Sequence, residues 1–222
     1  MQNNDGGWGA FDKDNDSEFL CHVPFADHNA MIDPSWPDIS ARVLEALAQQ
    51  GRRIGDPAVD RAIAYLRKHQ EEDGAWFGRW GVNYIYGTWS VLRGLGAIGV
   101  DPRHEFVQRA ARWLLRRQNA DGGWGETCES YTKPELAGRG ESIPSQTAWA
   151  LLALFAVGHG SGTAVDNGIA YLLRTQRPDG SWEDVFWNGT GFPRVFYLKY
   201  HLYARYFPLW ALGVYRKLRM HD

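Results

Sequence analysis

The side chains of this 222-residue chain most able to do chemistry are its rings: 11 Trp, 10 Tyr and 10 Phe. Large ring surfaces act either as core spacers or as the walls of a pocket. Phe192, Phe196, Tyr200 and Tyr203 follow one another at intervals of four, four and three. That spacing places the last three on one helix face, with Phe192 at its start before Pro193, and reads as a packed aromatic stripe. Asp38 and Arg42 are four apart, the separation of a helix-surface ion pair worth about 0.3–0.5 kcal/mol. Glu126, Glu129 and Glu141 share one long loop, and a glycosidase needs two such carboxylates at a fixed separation. The aromatic-rich, carboxylate-poor C-terminal stretch points away from that chemistry.

Metal and phosphate chemistry find little support. Asp12-x-Asp14-x-Asp16 has the head of a calcium loop, but Ser17 stands where Gly is required and Val23 where the bidentate Glu belongs. Cys21, His22 and His28 lack a second Cys/His pair at zinc spacing. No Gly-rich phosphate loop or nucleophile elbow is present. The expectation is a chain without metal or other cofactor.

Composition narrows the class. Hydrophobic residues make up 44% and charged residues 23%, the usage of an ordinary globular core rather than a disordered or fibrous chain. A net charge of −2, from 24 basic and 26 acidic residues, argues against nucleic-acid binding by bulk electrostatics. Two cysteines, Cys21 and Cys128, suggest no disulfide framework. The first residues carry neither a basic region nor an apolar run, so they do not read as a signal peptide. The longest apolar run, 148–157, is too short to cross a bilayer and reads as a buried helix.

What must position the rings is a repeat. Gln2-x-x-Asp5-Gly6-x-Trp8 recurs at Gln70…Trp76, Gln118…Trp124 and Gln176…Trp182. The last three follow amphipathic helical stretches, RAIAYLRKHQ (61–70), RAARWLLRRQ (109–118) and NGIAYLLRTQ (167–176), with Tyr65, Trp113 and Tyr171 at matching offsets. Asp-Gly makes a turn after each helix, and the Gln amide is suited to tying that turn to a neighbouring backbone. The repeat therefore reads as a structural staple between helices.

A second set of helices lies between the turns: 37–50, 86–98, 145–157 and a C-terminal stretch 195–219, broken near Pro208. They alternate with 57–70, 102–118 and 163–176. The expected fold is all-α, with αα-hairpin repeats forming part of an (α/α)6 toroid or barrel and no β pattern. Loops 9–34, 125–143 and 183–192 are long enough to carry function. The first repeat has no lead-in helix, so residues 1–222 read as one partial domain, completed by further polypeptide or by a partner.

The four Gln…Gly-x-Trp repeats resemble the signature of the triterpene cyclases, the squalene-hopene and oxidosqualene cyclases. The segments WFGRWGVNYIYGT (76–88), GGWGETCESY (122–131), PSQTAWALLAL (144–154) and NGTGFPRVFYLKYHLYARYFP (188–208) extend the likeness over nearly the whole chain. The resemblance is to the C-terminal part of the squalene-hopene cyclases' catalytic domain. It implies protonation of a linear polyene, squalene, and ring closure through carbocations to a pentacyclic product.

Such a pocket needs a strong acid at one end and ring faces along the path. A ring face stabilises a desolvated cation by roughly 2 kcal/mol or more. By resemblance, Asp38 and Arg42 are the acid-supporting pair, with Arg where well-known members have His. Phe11, Trp80, Tyr86, Phe192, Phe196, Tyr200 and Tyr203 match substrate- and cation-facing positions. Phe11 stands where Tyr is frequent. The family's acid motif, Asp-x-Asp-Asp, is absent, and the resemblance puts it upstream of Met1, along with the N-terminal domain that makes peripheral membrane contact. The expectations are an inactive isolated chain, a monotopic enzyme on the cytoplasmic side of a bacterial inner membrane, hopanoid synthesis, and a homodimer. The competing expectation is a non-catalytic αα-repeat domain that binds a hydrophobic ligand or partner.

Overall fold

A computed structural model describes residues 1–22 and 31–220. Seven α-helices are present among them: α1 (Pro37–Gln49), α2 (Pro57–Lys68), α3 (Tyr84–Ile98), α4 (Glu105–Arg116), α5 (Pro144–Ala156), α6 (Thr163–Thr175) and α7 (Tyr203–Arg219). Local sequence explains their starts. Proline opens α1, α2 and α5, where the missing N–H costs nothing. The Asp56 side chain caps α2 by accepting from Ala58 N–H.

Apolar patterning sorts the helices into two layers. Every residue of α5 from Pro144 to Leu154 is buried, and α3 is nearly as enclosed. α2, α4 and α6 bury one stripe each. The enclosed pair lies in the middle of a row: α1 packs on α3, α3 on α5, and α5 on α7. The amphipathic helices flank it.

The four turns bind these layers by one pattern. Indole Nε1 of Trp76, Trp124 and Trp182 donates to the carbonyl of Leu66, Leu114 and Leu172, on the helix just completed. Amide Nε2 of Gln2, Gln70, Gln118 and Gln176 donates to the carbonyl of Gly6, Gly74, Gly122 and Gly180, closing the turn. In the first three turns the same nitrogen also donates to the next flanking helix.

The C-terminal region departs from the expected helix over 195–219. Residues 189–198 form an antiparallel hairpin, β1 (Gly189–Phe192) and β2 (Phe196–Leu198). The segment before α3 holds it there: Val82 N–H donates to the Asn188 carbonyl and Thr190 N–H to the Trp80 carbonyl. Gly189 and Gly191 weaken any helix, and Pro193-Arg194, with Arg194 at φ 70°, makes the turn. Helix α7 then runs unbroken through Pro208. Burial of Phe207 and Ala211 holds that helix together although Pro208 has no N–H to donate. The long loops contain short 3-10 turns at Glu18–His22, Cys128–Tyr131 and Pro134–Leu136.

Candidate functional site

The first turns of α1, α3 and α5 meet at one end of the row, because each is bonded to a loop from a neighbouring repeat. Asp38, on the first turn of α1, is 1% exposed. Its Oδ2 accepts Arg79 N–H at 2.9 Å and Trp80 N–H at 3.0 Å, and Oδ1 accepts Ile39 N–H. Burial pushes its pKa up to about 6 in spite of these bonds. Glu126 Oε2 accepts Ile85 N–H on α3, and Asp184 accepts Ser145 N–H on α5. Burial raises the pKa of both carboxyls. Each carboxylate thus meets otherwise unpaired donors at a helix start.

Arg42 does not pair with Asp38. Its Nη1 meets Glu45 Oε2 at 3.2 Å, and Glu45 Oε1 meets Arg93 Nη2 at 2.7 Å. Asp38 is turned toward the Arg79–Trp80 backbone, so the expected i,i+4 pair is replaced by an i,i+3 pair. The Arg42 guanidinium lies 4.2 Å over Trp89 and the Arg93 guanidinium 4.2 Å over Trp210.

The predicted rings fall into two connected groups. Phe11 meets Trp80 edge-on at 6.2 Å, and Phe192 meets Phe196 at 5.7 Å. Arg79, 8% exposed, joins them, with its guanidinium 4.4 Å from the Trp80 ring and 5.2 Å from Phe192. Asp33 fixes the Phe11 loop by accepting N–H from Ala10, Phe11 and Asp12. In the second group Tyr86 meets Trp149 at 5.1 Å, Trp149 meets Tyr203 at 5.8 Å, and Tyr203 stacks on Tyr200 at 4.7 Å. Trp89 stacks on Trp149 behind them. Burial pushes the Tyr86 hydroxyl up to about 12, so it stays neutral.

A backbone bridge between Gly81 and Gly189 connects the two groups. The Tyr86 ring lies on Gly81 and the Tyr200 ring on Gly189; a Cβ at either glycine would come within 2.3 Å of the ring. A cavity of about 860 Å³ opens beside the first group. Phe11, Trp80 and Phe192 line it, with Trp36, Phe77 and Arg79; Tyr86, Phe196, Tyr200 and Tyr203 do not. Phe196 and Tyr200 sit on and just beyond the hairpin, not on one helix face with Tyr203 as the spacing suggested.

Sequence reasoning missed Asp33, Glu45, Arg79, Arg93 and Trp149. Their roles depend on partners distant in the chain, and only the Arg42–Glu45 spacing of three could have signalled one of them. The loop carboxylates separate: Glu126 is buried, whereas Glu129 and Glu141 are exposed. That leaves no glycosidase pair. Among the described residues no three His, Cys, Asp or Glu side chains group as metal ligands; Val23 and His28 lie outside those residues.

The family model for the squalene-hopene cyclase C-terminal domain matches residues 1–217. The chain belongs to this family. It is 52% identical, over 99% of its length, to the squalene–hopene cyclase of Zymomonas mobilis, of which it covers 33%. It is 50% identical over 98% to the squalene-hopene cyclase of the fungus Schizosaccharomyces japonicus, again covering 33%. The chain therefore spans about a third of the length of the curated relatives it matches, and those relatives are not confined to bacteria. Among solved structures, the type II terpene cyclase MstE from Scytonema superposes with a TM-score of 0.59 at 23% identity, over 86% of this chain and 50% of that one. At that identity the likeness shows a shared fold. The squalene-hopene cyclase domain described here thus carries its rings on a terpene-cyclase helical framework.

Proposed function

We propose that this chain forms one wall of the reaction chamber in a squalene-hopene cyclase, which protonates squalene and cyclises it through carbocations to hopene or hopanol. The observation that carries the reading is the cavity of about 860 Å³ faced by Phe11, Trp80 and Phe192. Its volume lies in the usual range for a small-molecule site. Ring faces suit the task because they stabilise positive carbon without being alkylated by it. The Gly81–Gly189 bridge, on which the Tyr86 and Tyr200 rings rest, joins this wall to the tyrosine group behind it. Asp38 and Arg42 support the acid indirectly: Asp38 positions Trp80, and Arg42 supplies a fixed positive charge beside Trp89. The proton itself comes from an acid on further polypeptide.

Binding of an aza-squalene cation mimic, compared with an oligosaccharide panel, tests this. The mimic is expected to bind, and Trp80→Leu and Phe192→Leu, at rings that line the cavity, are expected to weaken it while both variants keep their helical circular dichroism. Oligosaccharide binding, or mimic binding unaffected by both variants, overturns the reading. The chain alone, incubated with squalene in detergent, is expected to give no cyclised product by gas chromatography.

The same reading puts the assembled enzyme peripherally on the cytoplasmic face of a bacterial inner membrane, in hopanoid synthesis, and allows a homodimer through exposed apolar residues such as Leu209. Vesicle flotation and sizing chromatography test these two points.

A further inference from the structure

Three half-buried arginines of this fold lie on an indole ring, and each also meets a carboxylate. Arg42 lies 4.2 Å over Trp89 and pairs with Glu45 at 3.2 Å. Arg93 lies 4.2 Å over Trp210 and pairs with the same Glu45 at 2.7 Å. Arg117 lies 5.5 Å over Trp113 and meets Asp73 at 3.6 Å. The two contacts do different work. A ring face attracts the cation, but only an anion makes up for the hydration that a buried charge loses.

Arg79 has the rings and lacks the anion. It is the most buried arginine among the described residues, with Trp80 at 4.4 Å and Phe192 at 5.2 Å from its guanidinium. Among those residues no ion pair includes it, and its enclosed Nη1 meets no hydrogen-bond partner. Asp38 and Asp33 act on it only through space, because both are spent on backbone. Asp38 accepts N–H from Ile39, Arg79 and Trp80, and Asp33 from Ala10, Phe11 and Asp12. The other carboxylates that line the cavity with Arg79, on Asp5, Asp12, Asp16 and Glu71, belong to exposed residues. A guanidinium does not shed its proton at physiological pH, so deprotonation does not relieve the burial.

We infer that the Arg79 guanidinium is an ion-pair site for an aspartate or glutamate carried by the part of the enzyme outside these 222 residues. The planar fork suits a carboxylate, and the cavity of about 860 Å³ gives a side chain room to reach it. This chain covers 33% of its Zymomonas mobilis relative, so most of the polypeptide able to supply that carboxylate lies beyond it. The pair would join the missing part to the Trp80 segment and the hairpin at once, through the two rings that hold Arg79. This inference uses the charge balance of the cavity wall and does not depend on the identity of the substrate.

The test reads the sign of one substitution in two settings. In the 222-residue chain, Arg79→Met removes a charge that has no counterion and should raise Tm by roughly 2–6 °C. In a full-length chimera carrying the upstream two thirds of the Zymomonas mobilis enzyme, Arg79→Met strands a carboxylate and should lower Tm by a similar amount, with much of the loss recovered by Arg79→Lys. Sodium acetate at about 100 mM, compared with sodium chloride, should raise the Tm of the short chain by ~2 °C and leave Arg79→Met and the chimera unmoved. Should the chimera fail to fold, capture of the co-expressed upstream segment by the tagged chain replaces it, and Arg79→Met should weaken capture about tenfold or more. Three results overturn the inference. The first is Arg79→Met lowering Tm as much in the short chain as in the longer assembly, the mark of a guanidinium that only packs. The second is acetate stabilising the chimera as it does the short chain, the mark of a site left open to small acids. The third is a dimer of the short chain that Arg79→Met dissociates in sizing chromatography, the mark of a second copy as partner.

Discussion

Asp38 and Trp80 are joined by a hydrogen bond of 3.0 Å from the Trp80 N–H to Asp38 Oδ2, across 42 residues of sequence. It ties the start of α1 to the segment that carries a cavity ring. The bond has a titratable acceptor. The Asp38 pKa is raised from 3.8 to about 6 by burial, so between those values the folded chain holds a proton that the unfolded chain has released. Stability from this group is therefore greatest below pH 4 and falls as pH rises through 6, by on the order of 2–3 kcal/mol. Urea unfolding from pH 4 to pH 7 should show Asp38→Asn lacking that fall relative to the parent chain. An identical pH slope in both proteins would refute it.

Glu45 faces two guanidinium groups at once. Replacing it with Gln leaves Arg42 and Arg93 as neighbours without a shared anion. A loss of about 1–2 kcal/mol in chemical denaturation is expected, because charge-assisted bonds are stronger than neutral ones and this site is only partly solvated. Arg42→Met should cost less in the Glu45→Gln background than alone, and strict additivity in that cycle would show that the bridge has no energetic role.

Gly189 has no room for a side chain beneath the Tyr200 ring. Gly189→Ala should displace that ring, lower Tm, and change the near-ultraviolet circular dichroism more than the far-ultraviolet signal. Gly81→Ala should do the same through Tyr86. Unchanged near-ultraviolet spectra in both variants would mean that the rings do not rest on this bridge.

Trp124 is fully buried, and its indole N–H meets the Leu114 carbonyl at 2.8 Å. Trp124→Phe keeps an aromatic ring but removes the indole bond, leaving the Leu114 carbonyl with the Arg117 N–H alone and a gap behind the ring. A cost of about 2–4 kcal/mol is expected in equilibrium unfolding. A value below about 0.5 kcal/mol would mean that the indole hydrogen bond contributes little to the staple.

The helical layers were legible because their signals are local. Gln118, Gly122 and Trp124 recur at fixed spacing, and Pro37, Pro144 and Gly99 mark helix limits within a few residues of where they fall. The hairpin was not legible. Phe196, Tyr200 and Tyr203 have a helical rhythm, but Gly189 and Thr190 answer to the Trp80–Val82 backbone, more than 100 residues earlier, and that pairing decides their conformation. The same limit hid the Asp38 bonds. A spacing of four suggests Arg42 as the partner, whereas burial and the Arg79–Trp80 amides claim the carboxylate. Of the seven rings matched by resemblance, three reach the cavity and four stand in the tyrosine group or on the hairpin behind it, a division no linear spacing encodes.

The α1–α3–α5–α7 arrangement gives this polypeptide two termini in space as well as in sequence. A closed circle of helices shares strain among all its members, whereas an open file begins to loosen from its outermost ones. Amide exchange should accordingly start in α1 and α7 and reach the enclosed pair, α3 and α5, last. Whatever closes the circle would protect most strongly the two outermost helices, α1 and α7.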